Sequence, residues 1–147
     1  MVLLDADLQV LATVEDVDDA DDDPITDVAV HGDQVIVLST DHHPKGSGLR
    51  LLDLDGRFLR TIAAGEFINP QAVAASHGRA FVVDDDDDDE QGKMLHVVDI
   101  QSGDILQSVR VDLQSAVSEI LVDGDEIFIS DPQAGRVVVI QFAGSEV

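Results

Sequence analysis

The residues with the clearest capacity for chemistry form an uninterrupted acidic run, DDDDDDE. Carboxylates about 7 Å apart repel each other by roughly 0.6 kcal/mol in water, and a hard divalent cation such as Ca²⁺ or Mg²⁺ would relieve that repulsion. No segment has the D-x-[DN]-x-[DN]-G spacing of a calcium loop, so a solvated low-complexity loop is the simpler interpretation. We retain weak cation binding as a hypothesis for Asp84, Asp85, Asp86, Asp87, Asp88, Asp89 and Glu90.

The histidines offer one further cluster, in which His42 and His43 follow Asp41. Adjacent residues of an extended segment point in opposite directions, so the two imidazoles make a poor joint metal site. His31 and His77 precede glycines and are expected in turns. The sequence contains no nucleophile elbow, phosphate loop or HExxH motif, which disfavours the common hydrolase and nucleotide-binding classes.

Composition limits the partners. The chain of 147 residues has 31 acidic and 8 basic residues, a net charge of −23, and no cysteine. This charge disfavours nucleic acid and anionic membranes as partners and favours cations and basic proteins. No apolar run reaches the length of a transmembrane helix, and the start, MVLLDADL, lacks the basic region of a signal peptide. We therefore expect a soluble protein, with its location left open.

An internal repeat organises the chain. Gly32, Gly78 and Gly124 follow one another at intervals of 46 residues, and Asp53 and Asp99 independently keep the same interval. The apolar runs between turn residues predict four strands per repeat, A to D. The predicted strands are two within 2–14, then 26–31, 34–39, 48–54 and 57–62, then 72–76, 79–84, 94–100 and 104–109, and finally 117–122, 126–130 and 136–142.

Four antiparallel strands in about 45 residues is the size of a β-propeller blade. We predict an all-β fold with about three and a quarter blades in a single domain, 1–147. The expected parts are the end of a blade at 1–14, whole blades at 25–62 and 70–109, and an incomplete blade at 117–142. A β-sandwich is the rival fold, but it gives no reason for the repeat.

The pattern resembles that of the NHL-repeat and related six-bladed propellers. The matching features are an apolar A strand (Asp27–Val30), a turn glycine, a B strand (Val35–Ser39), a C strand that ends in Asp (Leu49–Asp53) and the turn Asp55-Gly56. Some six-bladed propellers are metal-dependent lactonases or lyases with Glu, Asn, Asp or His around a central channel. The resemblance therefore implies an alternative enzymatic function, with Asp41, His42, Glu66 and Asn69 as the first candidate residues.

The long connections are expected on one face of such a fold. D-to-A and B-to-C connections share a face, and they include the acidic runs 15–23 and 84–90. Because binding residues usually lie on long loops over a rigid scaffold, we predict a non-enzymatic interaction scaffold that binds basic protein segments or cations. Its candidate binding residues are Asp41, His42, His43, Glu66 and Asn69, and no cofactor is expected beyond Ca²⁺ or another divalent cation.

The incomplete blades leave two hypotheses open. A chain that starts in a C strand and stops after a C strand exposes sheet edges, which invite pairing. Propellers have four to eight blades, so this chain is either a portion of a longer propeller, the simpler hypothesis, or half of a homodimer that completes a ring of about six blades.

Overall fold

The computed structural model describes residues 2–4, 10–13, 24–40, 47–85, 92–114, 117 and 119–142. These residues form thirteen β-strands and no helix. The strands are β1 (Val2–Leu4), β2 (Val10–Thr13), β3 (Ile25–His31), β4 (Gln34–Ser39), β5 (Gly48–Asp53), β6 (Phe58–Ile62), β7 (Pro70–Ser76), β8 (Arg79–Asp84), β9 (Lys93–Asp99), β10 (Ile105–Val111), β11 (Ile120–Asp123), β12 (Glu126–Asp131) and β13 (Arg136–Gln141). Within the described ranges, no helix is long and apolar enough to cross a membrane.

The strands form three successive antiparallel sheets and one hairpin. Unit 1 contains β3 to β6, unit 2 contains β7 to β10, and unit 3 contains β11 to β13, each in chain order across its sheet. Strands β1 and β2 form a separate two-stranded sheet. The thirteen strands agree with the sequence prediction. Most bounds agree to within two residues. The largest difference is in the third A strand, which the sequence predicts from residue 117 and which begins at Ile120, because Val117 instead donates its backbone N–H to Gln71 Oε1 at 2.9 Å.

The turn glycines do not occupy equivalent positions, although the sequence alignment treats them as equivalent. His31 pairs with Gln34 and Asp123 pairs with Glu126, so Gly32 and Gly124 are the first of two turn residues. In unit 2, His77 is the first turn residue and Gly78 the second, and both have positive φ, 51° and 76°. The A–B hairpins therefore repeat after 45 and then 47 residues.

Two apolar clusters join the units face to face. The first lies between units 1 and 2 and includes Ile36, Leu38, Leu49 and Leu51 from unit 1 and Val73, Val82, Val98 and Ile100 from unit 2. The second lies between units 2 and 3 and includes Phe81, Val83, Leu95 and Val97 from unit 2 and Ile120, Ile127 and Ile129 from unit 3. The sheet of unit 2 thus uses one face for unit 1 and the other for unit 3.

Polar contacts fix the relative positions of neighbouring units. Asp27 Oδ2 in unit 1 accepts the backbone N–H of Val73 in unit 2 at 2.9 Å. His31 Nε2 accepts the N–H of Gly78 at 3.0 Å. Arg60 Nη2 on the outer strand of unit 1 donates to the carbonyl oxygen of Ile100 at 2.6 Å. Hydrogen bonds from the first strand (β3) and the last strand (β6) of unit 1 therefore supplement the apolar packing between the two units.

Gly92 should tolerate substitution far less well than Gly32. A Cβ at Gly92 would lie 2.2 Å from the carbonyl oxygen of Val111, whereas a Cβ at Gly32 would meet nothing within 4 Å, and both residues have positive φ. We expect Gly92→Ala to lower the free energy of unfolding by roughly 3 kcal/mol and Gly32→Ala by about 1 kcal/mol. Urea denaturation measures both values. Equal losses would show that crowding at Gly92 has no energetic effect.

Candidate functional site

The connections of the described chain sort onto two faces. Where a B strand ends, its backbone bonds to the connection that enters the A strand of the same unit: Thr40 N to Pro24 O at 3.2 Å, Asp85 N to Asn69 O at 3.1 Å, and Ser130 N to Glu119 O at 3.1 Å. In all three units, the B-to-C connection thus starts beside the point where the D-to-A connection ends. We call the side that they share the loop face.

Asp84, the first acid of the DDDDDDE run, lies buried below the loop face. Its carboxylate oxygens accept the backbone N–H groups of Ile68, at 3.0 and 3.1 Å, and of Asn69, at 2.7 Å. His96 Nε2 approaches Oδ2 at 3.3 Å. The side chain of Asp84 therefore holds the connection between units 1 and 2 in place.

Asp131 ends the B strand of unit 3 and has the same role. Its carboxylate accepts the N–H of Gln114 in the connection before unit 3 at 3.2 and 3.3 Å, and Arg136 Nε donates to it at 2.9 Å. Unit 1 has Ser39 at the corresponding position, which is also buried and bonds to the Arg50 guanidinium. The last B-strand residue is thus a buried polar anchor in every unit.

The second acid of the run, Asp85, is also engaged. Lys93 Nζ lies 2.7 Å from Asp85 Oδ2, with both side chains largely buried, and Gln71 Nε2 is 3.4 Å from the same oxygen. The remaining acids, Asp86 to Glu90, lie outside the described residues. The cluster of Asp41, His42 and His43 also lies outside them. The structure leaves cation binding at these residues as a prediction.

Glu66 and Asn69 have different surroundings. Glu66 is exposed and lines a cavity of about 310 Å³ together with Gly103, Asp104 and Ile105 of the C–D turn of unit 2. Asn69 immediately precedes β7, and both its backbone groups are bonded, its N–H to Asp84 and its carbonyl oxygen to Asp85 N. Within the described ranges, no three His, Cys, Asp or Glu side chains form a group that could hold a metal ion.

His96, in strand β9, packs within unit 2. Its Nδ1 lies 2.7 Å from Ser108 Oγ, its Nε2 faces Asp84, and its ring centroid is 5.4 Å from that of Phe67. These contacts join strands β8, β9 and β10 to the connection that precedes β7. The imidazole has a structural role in this arrangement.

A cleft on the opposite side was not expected from the sequence. It has a volume of about 530 Å³ and lies between units 1 and 2, where A–B and C–D turns meet on a side that we call the turn face. Its lining includes His31, Arg60, His77, Arg79 and Asp99. The cleft is therefore lined by both positively and negatively charged side chains, and by hydrogen-bond donors and acceptors. The presence of a histidine at the A–B turns of both units, His31 and His77, is the sequence signal that could have revealed this cleft.

Asp99 is the residue of this cleft whose proton affinity is clearly altered. The backbone N–H of Ser102 donates to Asp99 Oδ1 at 2.9 Å, and this bond, with a smaller contribution from the nearby Arg79 charge, lowers the pKa of the Asp99 carboxyl group below its usual range. The residue is half-buried. Asp99 therefore stays ionised to lower pH than an ordinary aspartate and keeps a negative charge at the edge of the cleft.

Comparison with known proteins identifies the fold. No protein-family model and no curated protein sequence matches the chain. A solved structure of KlHsv2, with loop 6CD replaced by a Gly-Ser linker, superposes with a TM-score of 0.56 at 16% identity over 84% of this chain and 37% of that chain. The Kuenenia stuttgartiensis hydrazine synthase gives a TM-score of 0.55 at 15% identity over 84% of this chain and 37% of that one.

These solved structures are β-propeller proteins. The likeness, together with sheets of four antiparallel strands, confirms the predicted fold class: units 1 to 3 are blades of a partial β-propeller. The chain spans little more than a third of the length of either solved chain. At this level of identity the comparison establishes the fold alone, and we call the units blades 1, 2 and 3 from here on.

Removing the Asp84 carboxylate should destabilise the protein. Asp84→Ala would remove the buried carboxylate that accepts the N–H groups of Ile68 and Asn69, and we expect a loss of roughly 3 kcal/mol in the free energy of unfolding. Glu66→Ala, at an exposed acid of the adjoining connection, should change it by less than about 0.5 kcal/mol. Chemical denaturation compares the two. If both variants were equally stable, the anchoring role of Asp84 would be wrong.

Proposed function

We propose that this propeller portion is a non-enzymatic binding scaffold whose loop face binds basic segments of other proteins. The main support is the position of the described residues that flank the acidic runs. Pro24 directly follows the run 15–23, and Asp85 directly precedes Asp86 to Glu90. Both flanking residues are held by backbone hydrogen bonds on the loop face. Both runs therefore start or end on this side of the blades.

The charge balance supports the same partner class. If each of the 8 Lys and Arg side chains paired with a different carboxylate, 23 of the 31 acidic side chains would still have no basic partner. A run of like charges on one face raises the local concentration of cationic ligands and speeds their association. A basic peptide segment supplies several positive charges at once, and it gains entropy by releasing the cations that surround the face.

Buried contacts hold the scaffold beneath the loop face in place. The buried anchors Asp84 and Asp131 fix the connections that enter blades 2 and 3. The apolar clusters between the blades fix the sheets to which these connections belong. Loops on a rigid scaffold are the usual position of binding residues, because the scaffold holds them in register with a partner.

The metal-dependent hydrolase alternative has less support. Of its four candidate residues, Asp41 and His42 lie outside the described part of the chain, and Glu66 and Asn69 face different neighbours. Divalent cations remain the competing ligands for the acidic runs. Because Asp84 and Asp85 are engaged in the fold, such cations would bind through Asp86 to Glu90.

We also propose that the blades are of the NHL-repeat type. The C strands of blades 1 and 2 end in Asp53 and Asp99, and each carboxylate accepts a backbone N–H from the turn that follows, from Asp55 at 2.9 Å and from Ser102 at 2.9 Å. This Asp-capped C–D turn is the element of the sequence resemblance that recurs in both complete blades.

Neutralising the loop face should weaken the binding of a lysine-rich peptide. The variant replaces Asp86, Asp87, Asp88 and Asp89 by Asn and Glu90 by Gln. We expect an approximately tenfold increase in the Kd of an octalysine peptide, which corresponds to about 0.3 kcal/mol for each lost carboxylate. Isothermal titration calorimetry at two salt concentrations gives the Kd and its salt dependence.

The matched control removes the same charge from the turn face. It replaces five exposed acids, Asp33, Asp55, Asp123, Asp125 and Glu126, by their amides. This control should retain the affinity of the unaltered chain to within about threefold, because the removed charges lie on the far side of the blades. An equal loss in both variants would contradict a loop-face site. If CaCl₂ binds and octalysine does not, the partner class is wrong and a cation site replaces it.

A further inference from the structure

Within the described residues, blade 3 has three strands and exposes an apolar face. In blades 1 and 2 the C strand is covered at its edge by a D strand, β6 on β5 and β10 on β9. Strand β13 is the C strand of blade 3 and forms the free edge of its sheet in the described structure. Val137 and Val139 of β13 are 62% and 55% exposed, whereas their equivalents in blade 1, Leu49 and Leu51, are 0% exposed.

Blade 1 exposes the complementary face in part, on β3 and after β5, while Val35, Val37 and Leu52 at the centre of that face are buried. Val28 and Leu54 are 46% and 53% exposed. Their equivalents in blade 2, Val73 and Ile100, are buried in the interface with blade 1. The open face of blade 3 therefore corresponds to the face that blade 1 presents to blade 2, and the open face of blade 1 corresponds to the one that blade 2 presents in return. A blade 3 of one copy can pack on a blade 1 of another copy as consecutive blades do within the chain.

The N-terminal hairpin contains a strand with the register of a D strand. The sequences of β2 (VLAT), of the first four residues of β6 (FLRT) and of the first four of β10 (ILQS) share one pattern: an apolar residue, leucine, a variable residue, and Thr or Ser. The pairing is also the same. Each strand skips its leucine against its C strand, at Leu11, Leu59 and Leu106. Strand β2 is thus a D strand, and it directly precedes blade 1 in the chain.

The partner of β2 in the structure is short. Strand β1 has three residues, Val2 to Leu4, and pairs Leu3 with Ala12. In the complete blades, the equivalents of Leu3 are Leu51, which pairs with Arg60, and Val97, which pairs with Gln107. Val139 has the same position in β13. Strand β13 has six residues and already belongs to a sheet with β11 and β12, so it can take the place of the shorter β1.

We propose that two copies of this chain close a six-bladed ring by exchanging strands. Strand β13 of each copy displaces β1 from β2 of the other copy, so that β2 becomes the fourth strand of the partner's blade 3. The open face of blade 3 then packs on the partly exposed face of blade 1 at each seam, where the displaced β1 no longer pairs with β2. Repeated head-to-tail interfaces form a closed ring when their rotation allows it, and six blades lie within the range of known propellers.

The first test measures the mass of the full 147-residue chain in solution by light scattering coupled to size-exclusion chromatography. We expect a mass twice the 15.7 kDa of one chain. A single-chain mass at every protein concentration would overturn the proposal. A series of larger species would also overturn it, because head-to-tail contacts would then build an open assembly instead of a closed ring.

Charge placed at the seam should separate the copies. In Val137→Asp/Val139→Asp the carboxylates would be buried unpaired against the neighbouring copy, and we expect a monomer. The control is Leu59→Asp/Leu106→Asp, at outer-strand leucines that are 49% and 51% exposed, which should remain a dimer. All four positions are exposed in the single chain, and circular dichroism verifies that both variants fold. A dimer of the seam variant would contradict the interface.

A cysteine pair tests the exchanged register directly, since the chain has no cysteine of its own. Val139 of one copy should lie opposite Ala12 of the other, so Ala12→Cys/Val139→Cys should form a disulfide-linked dimer on a non-reducing gel. In Ala12→Cys/Val138→Cys the second cysteine points to the opposite face of the sheet and should not cross-link. Equal cross-linking of both pairs, or of neither pair, would refute the proposed strand exchange.

Discussion

Each sheet of this protein has apolar side chains on both faces, and this constraint determines the rest of the architecture. In β4, Ile36 and Leu38 pack toward blade 2, while Val35 and Val37 form a separate cluster on the other face with Leu52. A sheet of this kind cannot bury both faces alone, so it is stable only between neighbours. The chain therefore adds one blade after another, and each blade completes the core of the one before it.

The second requirement comes from the backbone where consecutive blades join. The connections before blades 2 and 3 pass close to the core, where an unpaired N–H group is costly. Asp84 and Asp131, buried at the ends of the central strands, accept these N–H groups. Hydrogen bonds between blades, such as that from the Val73 N–H to Asp27 Oδ2, also hold consecutive blades together. Two buried acids therefore fix the ends of these connections on the loop face, and one of them, Asp84, is the first acid of the DDDDDDE run.

The strands could be predicted from the sequence because each is a short apolar run between turn residues. Turn geometry could not be predicted in the same way. A two-residue hairpin needs a positive φ at its first position or at both, and Gly32 meets the first requirement while His77 and Gly78 together meet the second. Aligning glycines therefore concealed a change of register. The acidic run is ambiguous in another way: the sequence correctly predicts that Asp84 ends a strand, but six identical aspartates do not reveal that its side chain is buried. The turn-face cleft depends on contacts between blades that no local pattern encodes.

The free edges of the sheets differ in a way that bears on assembly. Proteins commonly protect an exposed edge strand with charged residues. The outer strands of the complete blades follow this rule, with Arg60 in β6 and Arg110 in β10. Strand β13 does not follow it, because residues 137–140 are Val-Val-Val-Ile and only its two ends are polar. In a chain with 31 acidic residues, the middle of this outer edge, residues 137–140, carries no charge. That composition fits a strand that pairs with another strand better than one that faces water.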